Sequence, residues 1–281
     1  MKKILVPTDF SPFSDYGLHM AVHIAKVIGP VRIYLLNIIP PPVITGFFPS
    51  SDMAEIEESR VYVAALHHAN KKRLKRQMDE YQDFGVPIRT VIMIDHISDG
   101  LERFITQHHI DMVVMGTSRE STLDEYFLGN HTEQLMRIAS CPVITVKKPI
   151  KDFHIKNILL GIDLKSEWKS QLSLIRDFSA IFQAELHLLN ICEIDEDQKE
   201  ISQQLEKIAI QNHLESYSIN VKYEENKEAG LIRFARENQC DMIVLLSHQR
   251  SAIQHFFMGS ISEDLVKYTD LPVMSIGLKA A

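Results

Sequence analysis

The sequence predicts an α/β protein made of two similar domains, each an open parallel sheet with helices on both faces. Three observations carry this expectation. The chain repeats itself: Ile4-Leu5-Val6-Pro7-Thr8-Asp9 is answered by Ile158-Leu159-Leu160-Gly161-Ile162-Asp163. Asp111-Met112-Val113-Val114, Leu128-Gly129-Asn130 and Cys141-Pro142-Val143 are answered, each 130 residues later, by Asp241-Met242-Ile243-Val244, Met258-Gly259-Ser260 and Leu271-Pro272-Val273. Finally, short apolar runs alternate with longer amphipathic stretches in both halves, which is the pattern of βαβ units.

Along the first half, residues 3–8 form an apolar strand ended near Pro7 and Asp9. Ser11-Pro12 supplies a capping serine and a proline for the first helical position. The helix then runs to about Val27, with Tyr16, Met20, Ile24 and Val27 near one stripe, and Gly29-Pro30 stops it. Residues 31–38 are the second strand. A proline- and phenylalanine-containing stretch, Pro40-Pro41-Pro42 to Gly46-Phe47-Phe48-Pro49, precedes a long helix over about 53–83. Strands over 86–93, 112–115 and 143–146 alternate with helices over 98–108 and about 130–138, and residues 116–128 are a loop.

The second half repeats this order, with strands near 156–162, 185–191, 219–224, 242–246 and 273–276. Its helices fall near 166–182, 197–216, 228–238 and 260–268. The offset between halves is 153 at Asn37/Asn190 and 130 at Gly100/Gly230. The difference, 153 − 130, places about 23 extra residues between these landmarks in the first domain, in the proline-rich stretch and a lengthened second helix. The expected domains are 1–148, with the insertion at about 40–62, and 154–281, joined by a polar linker around Lys147–His154. The terminal runs Val143–Val146 and Val273–Ile276 would otherwise leave exposed sheet edges, so they are expected to meet antiparallel in an intramolecular pseudo-dimer.

Composition is that of an ordinary globular protein, with 24% charged and 45% hydrophobic residues and a net charge of -7. Residues 1–150 hold 16 basic and 17 acidic side chains and residues 151–281 hold 14 and 20, so the second half carries most of the negative charge. Neither nucleic acid nor an anionic membrane is the expected partner. The run Lys71-Lys72-Arg73-Leu74-Lys75-Arg76 reads as a solvated helix face. Cys141, Cys192 and Cys240 have neither paired nor metal-like spacing, which suggests a reducing, cytoplasmic compartment. The apolar run at the N-terminus is too short for a signal peptide.

Several polar residues fall where chemistry is possible. Asp9 and Asp163 end the first strand of each half, where the carboxyl ends of parallel strands line a ligand crevice. Two readings stand for each: contact with a ligand's hydrogen-bond donors, or capping of the following turn. Gly116-Thr117-Ser118-Arg119 follows the fourth strand, and Gly129-Asn130 precedes a helix whose N–H groups suit a phosphate. Asp95 and His96 end the third strand, with ligand and turn roles equally open. His19 and His23 share a helix face without a third metal ligand in view, and no metal site is expected. The adjacent pairs His67-His68 and His108-His109 read as surface or partly buried. No complete catalytic set, nucleophile elbow or Walker phosphate loop is present.

Taken together, the Asp-bearing first strand, the Asp-Met-Val-Val strand, the Gly-Thr-Ser-Arg loop, the Gly-Asn or Gly-Ser turn and the terminal Cys-Pro-Val or Leu-Pro-Val strand resemble the universal stress protein family in tandem form. The resemblance covers nearly the whole chain. It implies two five-stranded parallel sheets of order 3-2-1-4-5, an adenine nucleotide alpha hydrolase-like fold, and a stress-response role. It also implies a division between members that bind ATP, with magnesium, and members that do not. Binding members carry Gly-x-x-Gly, nine residues, then Gly-Ser or Gly-Thr. Here Gly116, Gly129 and Asn130 keep that frame, but Arg119 replaces the second glycine. In the second half Leu246 and Gln249 replace both early glycines, leaving Gly259 and Ser260, with Ser247 and His248 as further polar candidates for some other ligand. The resemblance therefore implies a protein acting by ligand-modulated conformation or partner binding, with reduced or absent ATP binding and no assigned turnover. The alternative is an ATP-binding switch with slow hydrolysis in the first domain. A small molecule or a protein is the expected partner, and homodimerisation of the whole chain remains open.

Overall fold

A computed structural model of the chain describes residues 1–42, 52–117, 134–136, 139–150, 153–164, 169–248, 265 and 268–278, with backbone alone at 52–56, 169–170, 247–248 and 278. The first repeat contributes β1 (Lys3–Pro7), α1 (Pro12–Ile28), β2 (Arg32–Ile39), α2 (Asp52–Asp79), β3 (Ile88–Ile94), α3 (Ile97–His108), β4 (Met112–Gly116) and β5 (Val143–Val146). The second contributes β6 (Asn157–Gly161), α4 (Lys169–Phe182), β7 (Glu185–Cys192), α5 (Gln198–Gln211), β8 (Tyr217–Tyr223), α6 (Lys227–Glu237), β9 (Met242–His248) and β10 (Val273–Leu278). The loop expected at 118–128, most of the helices at 130–138 and 260–268, and the phenylalanine pair Phe47-Phe48 lie outside the described residues.

The strands form one sheet in the order β3-β2-β1-β4-β5-β10-β9-β6-β7-β8. Each repeat supplies a parallel half of order 3-2-1-4-5. The halves join where β5 and β10 run antiparallel, with Val273 opposite Thr145, Met274 opposite Ile144 and Ser275 opposite Val143. Two separate sheets thus become one, because pairing satisfies the backbone groups of both terminal edges. Val143, Ile144, Thr145, Val273, Met274 and Ser275 are all nearly fully buried at this seam. The Thr145 hydroxyl donates to the Val273 carbonyl at 3.3 Å, and Lys148 pairs with Asp270 at 2.7 Å beside it.

Local signals explain most boundaries. Ser11 caps α1 by accepting from the Ser14 N–H, Pro12 occupies its first turn, and Gly29 ends it at φ 104°. The buried face of α1 includes Leu18, Met20, Ala21, Ile24 and Ala25, whereas Val27, expected on that stripe, is 46% exposed. The long helix ends at Asp79 rather than 83, because a 3-10 turn over Gln82–Phe84 and Gly85 at φ 69° take over. The helix expected over 197–216 stops at Gln211, where Asn212 and the left-handed His213 close it. With 28 residues against 14 in α5, α2 spans about 42 Å, roughly twice the length of its counterpart. No helix among the described residues is long and apolar enough to cross a membrane.

The repeated aspartates of the fourth strands have a matching structural job. The Asp111 carboxylate accepts the backbone N–H groups of Lys2 and Lys3 at 2.7 and 2.9 Å. Asp241 accepts those of Lys156 and Asn157 at the same two distances. Each carboxylate therefore anchors the start of its repeat's first strand, at the sheet end away from the ligand crevice. Two charge-assisted bonds of this kind predict that Asp241→Ala costs about 2 kcal/mol in urea unfolding. Because β5 and β10 hold the halves together, cutting an engineered protease site in the linker should leave the fragments co-eluting on size exclusion. Separate elution as two monomers would contradict the seam.

Candidate functional site

In each repeat the first strand lies between the second and fourth, so the chain leaves neighbouring strands in opposite directions and a crevice opens at their carboxyl ends. In the first repeat that edge is built from a buried polar network. The Thr8 N–H donates to the Leu36 carbonyl at 2.8 Å, and the Thr8 carbonyl accepts from the Asn37 side chain at 2.8 Å. Asn37 in turn accepts from Asn70 on α2 at 2.9 Å. The Thr8 hydroxyl accepts the Phe10 N–H, lies 3.0 Å from the Ser14 hydroxyl and donates to Gln77, which itself donates to Asp15. Thr8, Ser14, Asn37 and Gln77 are all buried, so β1, β2, α1 and α2 are tied together directly beneath the crevice.

Above this network the chain turns sharply. Phe10 sits at φ 67°, the left-handed region that a bulky side chain rarely occupies, and the Arg73 guanidinium covers its ring at 4.1 Å. Asp9 is exposed at the crevice, with one carboxylate oxygen accepting the Ser11 N–H at 2.9 Å. The turn role considered for Asp9 is therefore present. It occupies one oxygen, and the other has no hydrogen-bond partner among the described residues.

Gly116 has a structural reason of its own. A Cβ at this position would lie 1.7 Å from the Phe13 carbonyl oxygen and 2.9 Å from the Ser14 nitrogen. Gly17 answers from α1, where a Cβ would lie 2.7 Å from the Gly116 nitrogen. Two glycines thus let the first turns of α1 press directly on the end of β4. At the offset of 154 the counterpart of Gly17 is Gln171, and at the offset of 130 the counterpart of Gly116 is Leu246. The second repeat has lost both members of the pair. A glycine at 116 is expected from sequence to allow close backbone approach; the partner is α1 itself, and Gly17 in mid-helix is the signal that this helix approaches there.

The second crevice shares the base and differs at the rim. The Ile162 N–H donates to the Leu189 carbonyl at 2.9 Å and Asn190 donates to the Ile162 carbonyl at 2.8 Å, repeating the Thr8–Asn37 arrangement beneath a half-exposed Asp163. In the first repeat the β4–β5 ladder ends with Gly116 opposite Val146. In the second, the β9–β10 ladder passes the equivalent Leu246–Ile276 pair and continues through Ser247 opposite Gly277 and His248 opposite Leu278. In the first repeat the Thr117 N–H still donates to the Val146 carbonyl at 2.9 Å, but Lys147 and Lys148 have left the strand, whereas their counterparts Gly277 and Leu278 remain in theirs. Arg119, Gly129, Asn130, Gly259 and Ser260 lie outside the described residues.

The first repeat also has a cavity of about 560 Å³ where the projecting half of α2 stands off the ends of β2 and β3, lined by Pro42, Arg60, Val63, Ala64, His67 and Ile94. Ile94, Val61 and Tyr62 leave more than half of their surface exposed there or on the same helix. Asp95, by contrast, is engaged in structure: its carboxylate accepts the His96 N–H and pairs with Arg103 at 3.0 Å. His108 stacks on Phe104 at 3.9 Å. The three cysteines are buried with no disulfide among the described residues, and burial, followed by Asp241, pushes the Cys240 thiol up to about 11, which leaves it a poor nucleophile. No group of three or more histidine, cysteine, aspartate or glutamate residues suited to a metal occurs among the described residues. The glycine contact is testable by substitution: Gly116→Ala should lower stability by about 3 kcal/mol in chemical denaturation, because the obstructing atoms are backbone and cannot rotate away.

Comparison with known proteins places this geometry. The model of the universal stress protein family matches residues 1–147 and, separately, 154–276. A universal stress protein of Synechocystis is 21% identical over 294 aligned positions, covering 98% of this chain and 99% of that protein. One from Methanocaldococcus jannaschii is 28% identical over 151 positions, covering 54% of this chain and 85% of its own length. Among solved structures, a universal stress protein from Archaeoglobus fulgidus superposes with a TM-score of 0.77 over 98% of both chains at 16% identity, which shows a shared fold. With its two family matches leaving out only the linker and the last few residues, the chain belongs to the universal stress protein family as a tandem member.

Proposed function

We propose that the protein is a stress-response protein that acts through conformation or partner binding, with its ligand-responsive crevice in the first repeat and with reduced or absent ATP binding. The observation that carries this reading is the unequal rim. The β4–β5 ladder stops at Gly116, whereas the β9–β10 ladder runs on through His248. The Thr117 N–H is still committed to the Val146 carbonyl, but Lys147 and Lys148 leave the ladder where Gly277 and Leu278 stay in it, so the second rim is the more tightly bound to its neighbouring strand. Replacement of both early glycines in that half, at Leu246 and Gln249, acts in the same direction.

For the first repeat, the frame of Asp9, Gly116, Gly129 and Asn130 supports a ligand, while Arg119 at a glycine position argues against tight binding of a triphosphate. The cavity beside α2 adds apolar surface for a partner or an amphipathic ligand. In the second repeat, Asp163, Ser247, His248, Gly259 and Ser260 are the residues for any other polar ligand. Three buried cysteines without a disulfide among the described residues fit a reducing, cytoplasmic setting.

The remaining oxygen of Asp9, open at the switch point, favours a second reading: an ATP-binding switch with slow hydrolysis in the first repeat. Calorimetry with ATP, ADP and AMP, with and without magnesium, separates the two. Under the leading reading the wild type binds ATP no tighter than about 100 μM, and Arg119→Gly strengthens binding about tenfold by clearing the loop. Magnesium-dependent ATP binding at about 1 μM by the wild type would establish the switch instead. Weaker binding by Arg119→Gly would identify the guanidinium as a phosphate ligand.

A further inference from the structure

The helices α1 and α4 are equivalent elements of the two repeats, and an aromatic ring from the linker sits between them. Phe153 stacks on His23 with ring centres 5.0 Å apart and planes 21° apart, and it meets Phe182 of α4 at 6.1 Å. Phe84 packs edge-on to His23 at 5.7 Å, and Tyr81 lies 6.3 Å from His19. The two histidines face each other with Nε2 atoms 3.2 Å apart. One continuous cluster therefore runs from the turn after α2, through the histidine pair and the linker, into the second repeat.

A hydrogen bond between two imidazole nitrogens holds one proton. His19 Nδ1 is buried and has no hydrogen-bond partner among the described residues. A bare acceptor is tolerated there better than an unpaired N–H. The favoured arrangement puts the His19 hydrogen on Nε2, donating to His23 Nε2, and the His23 hydrogen on Nδ1. A further proton then has no good place. On His19 it creates a buried, unpartnered N–H; on His23 it sets donor against donor.

The surroundings do not relieve this. Lys26 on the same helix adds positive charge and lies over Phe84 at 5.3 Å. Phe84, Phe153 and Phe182 are apolar. Tyr81, from the turn after α2, is held neutral: burial, then Asp15 and Glu80, pushes its phenol up to about 12. Asp15 already accepts from Gln77. Burial holds His19 below its ordinary value, and burial, then the charges of His19 and Lys26, does the same for His23. No third histidine, cysteine or carboxylate joins the pair among the described residues, so a proton rather than a metal ion is the ligand to which this geometry responds.

We propose that the His19–His23 pair makes the packing of the two repeats proton-sensitive, so that an added proton loosens Phe153 and releases α1 from α4. The sign follows from linkage. Folded-state values lie below the ordinary 6.5, so the neutral pair stabilises the contact above that value. The stabilisation is lost as pH falls from there through the folded values. The device is one-sided, because the counterparts in α4 at the offset of 154 are Ser173 and Asp177, and Asp177 pairs with Arg176 at 2.8 Å.

Amide hydrogen exchange on the full chain tests this at about pH 7.5 and about pH 5.5, corrected for intrinsic exchange. In the wild type, protection over the second half of α1 and residues 153–158 should fall about tenfold at the lower pH, while the β5–β10 seam keeps its protection. His23→Phe preserves the ring stack with a ring that cannot be protonated, so most of the pH-dependent loss of protection should disappear although His19 remains. Imidazole NMR of the wild type is the second measurement and needs no variant: both histidines should titrate below the ordinary 6.5, in step with the Phe153 ring signals. Titration of both at ordinary values, wild-type protection that ignores pH, or an equal loss in His23→Phe would each overturn the proposal.

Discussion

The edge pairing of β5 with β10 is the constraint on which the rest of the molecule rests. Each repeat alone would end in a largely apolar strand whose outer N–H and C=O groups lack partners. Antiparallel pairing satisfies them within one chain, and the burial of Ile144 and Met274 at the seam follows from it. The linker, α1 and α4 are then brought over the same join, so contacts such as Phe153 with His23 exist only because the edges have met.

Duplication preserved the supports of the crevice more faithfully than its rim. Asn37 and Asn190 brace the same carbonyl in each repeat, at the same 2.8 Å, and Asp111 and Asp241 hold the same strand starts. These bonds serve folding, and a substitution at either asparagine removes the donor from a buried carbonyl. The rim has diverged as a unit instead. Where Gly17 and Gly116 allow α1 to touch β4, Gln171 and Leu246 stand together in the second repeat. One member of that pair cannot change alone without either a clash or a gap.

The alternating pattern, the repeat offsets and the unpaired terminal edges made the fold legible in the sequence down to the antiparallel seam. Boundaries slipped where local backbone devices intervened, as at the 3-10 turn over Gln82–Phe84 that shortened α2. The site was legible only in part. Asp9 and Gly116 announce themselves by position, but the network of Thr8, Asn37, Asn70 and Gln77 joins residues up to 69 positions apart, and no periodicity links them. The histidine pair was visible as an i, i+4 spacing; its importance depends on Phe153 and Tyr81, which only folding brings alongside.

Strand direction reverses at the seam, and this sets where the two crevices point. Within each half the strands are parallel, so all carboxyl ends of one repeat lie along one margin of the sheet. Across β5 and β10 that polarity inverts, and the second repeat's carboxyl ends lie along the opposite margin. A single small molecule cannot bridge Asp9 and Asp163, and a rigid partner docked on one margin leaves the other open. Any influence of one crevice on the other must cross either the continuous ten-stranded sheet or the contact of α1 with α4 through Phe153.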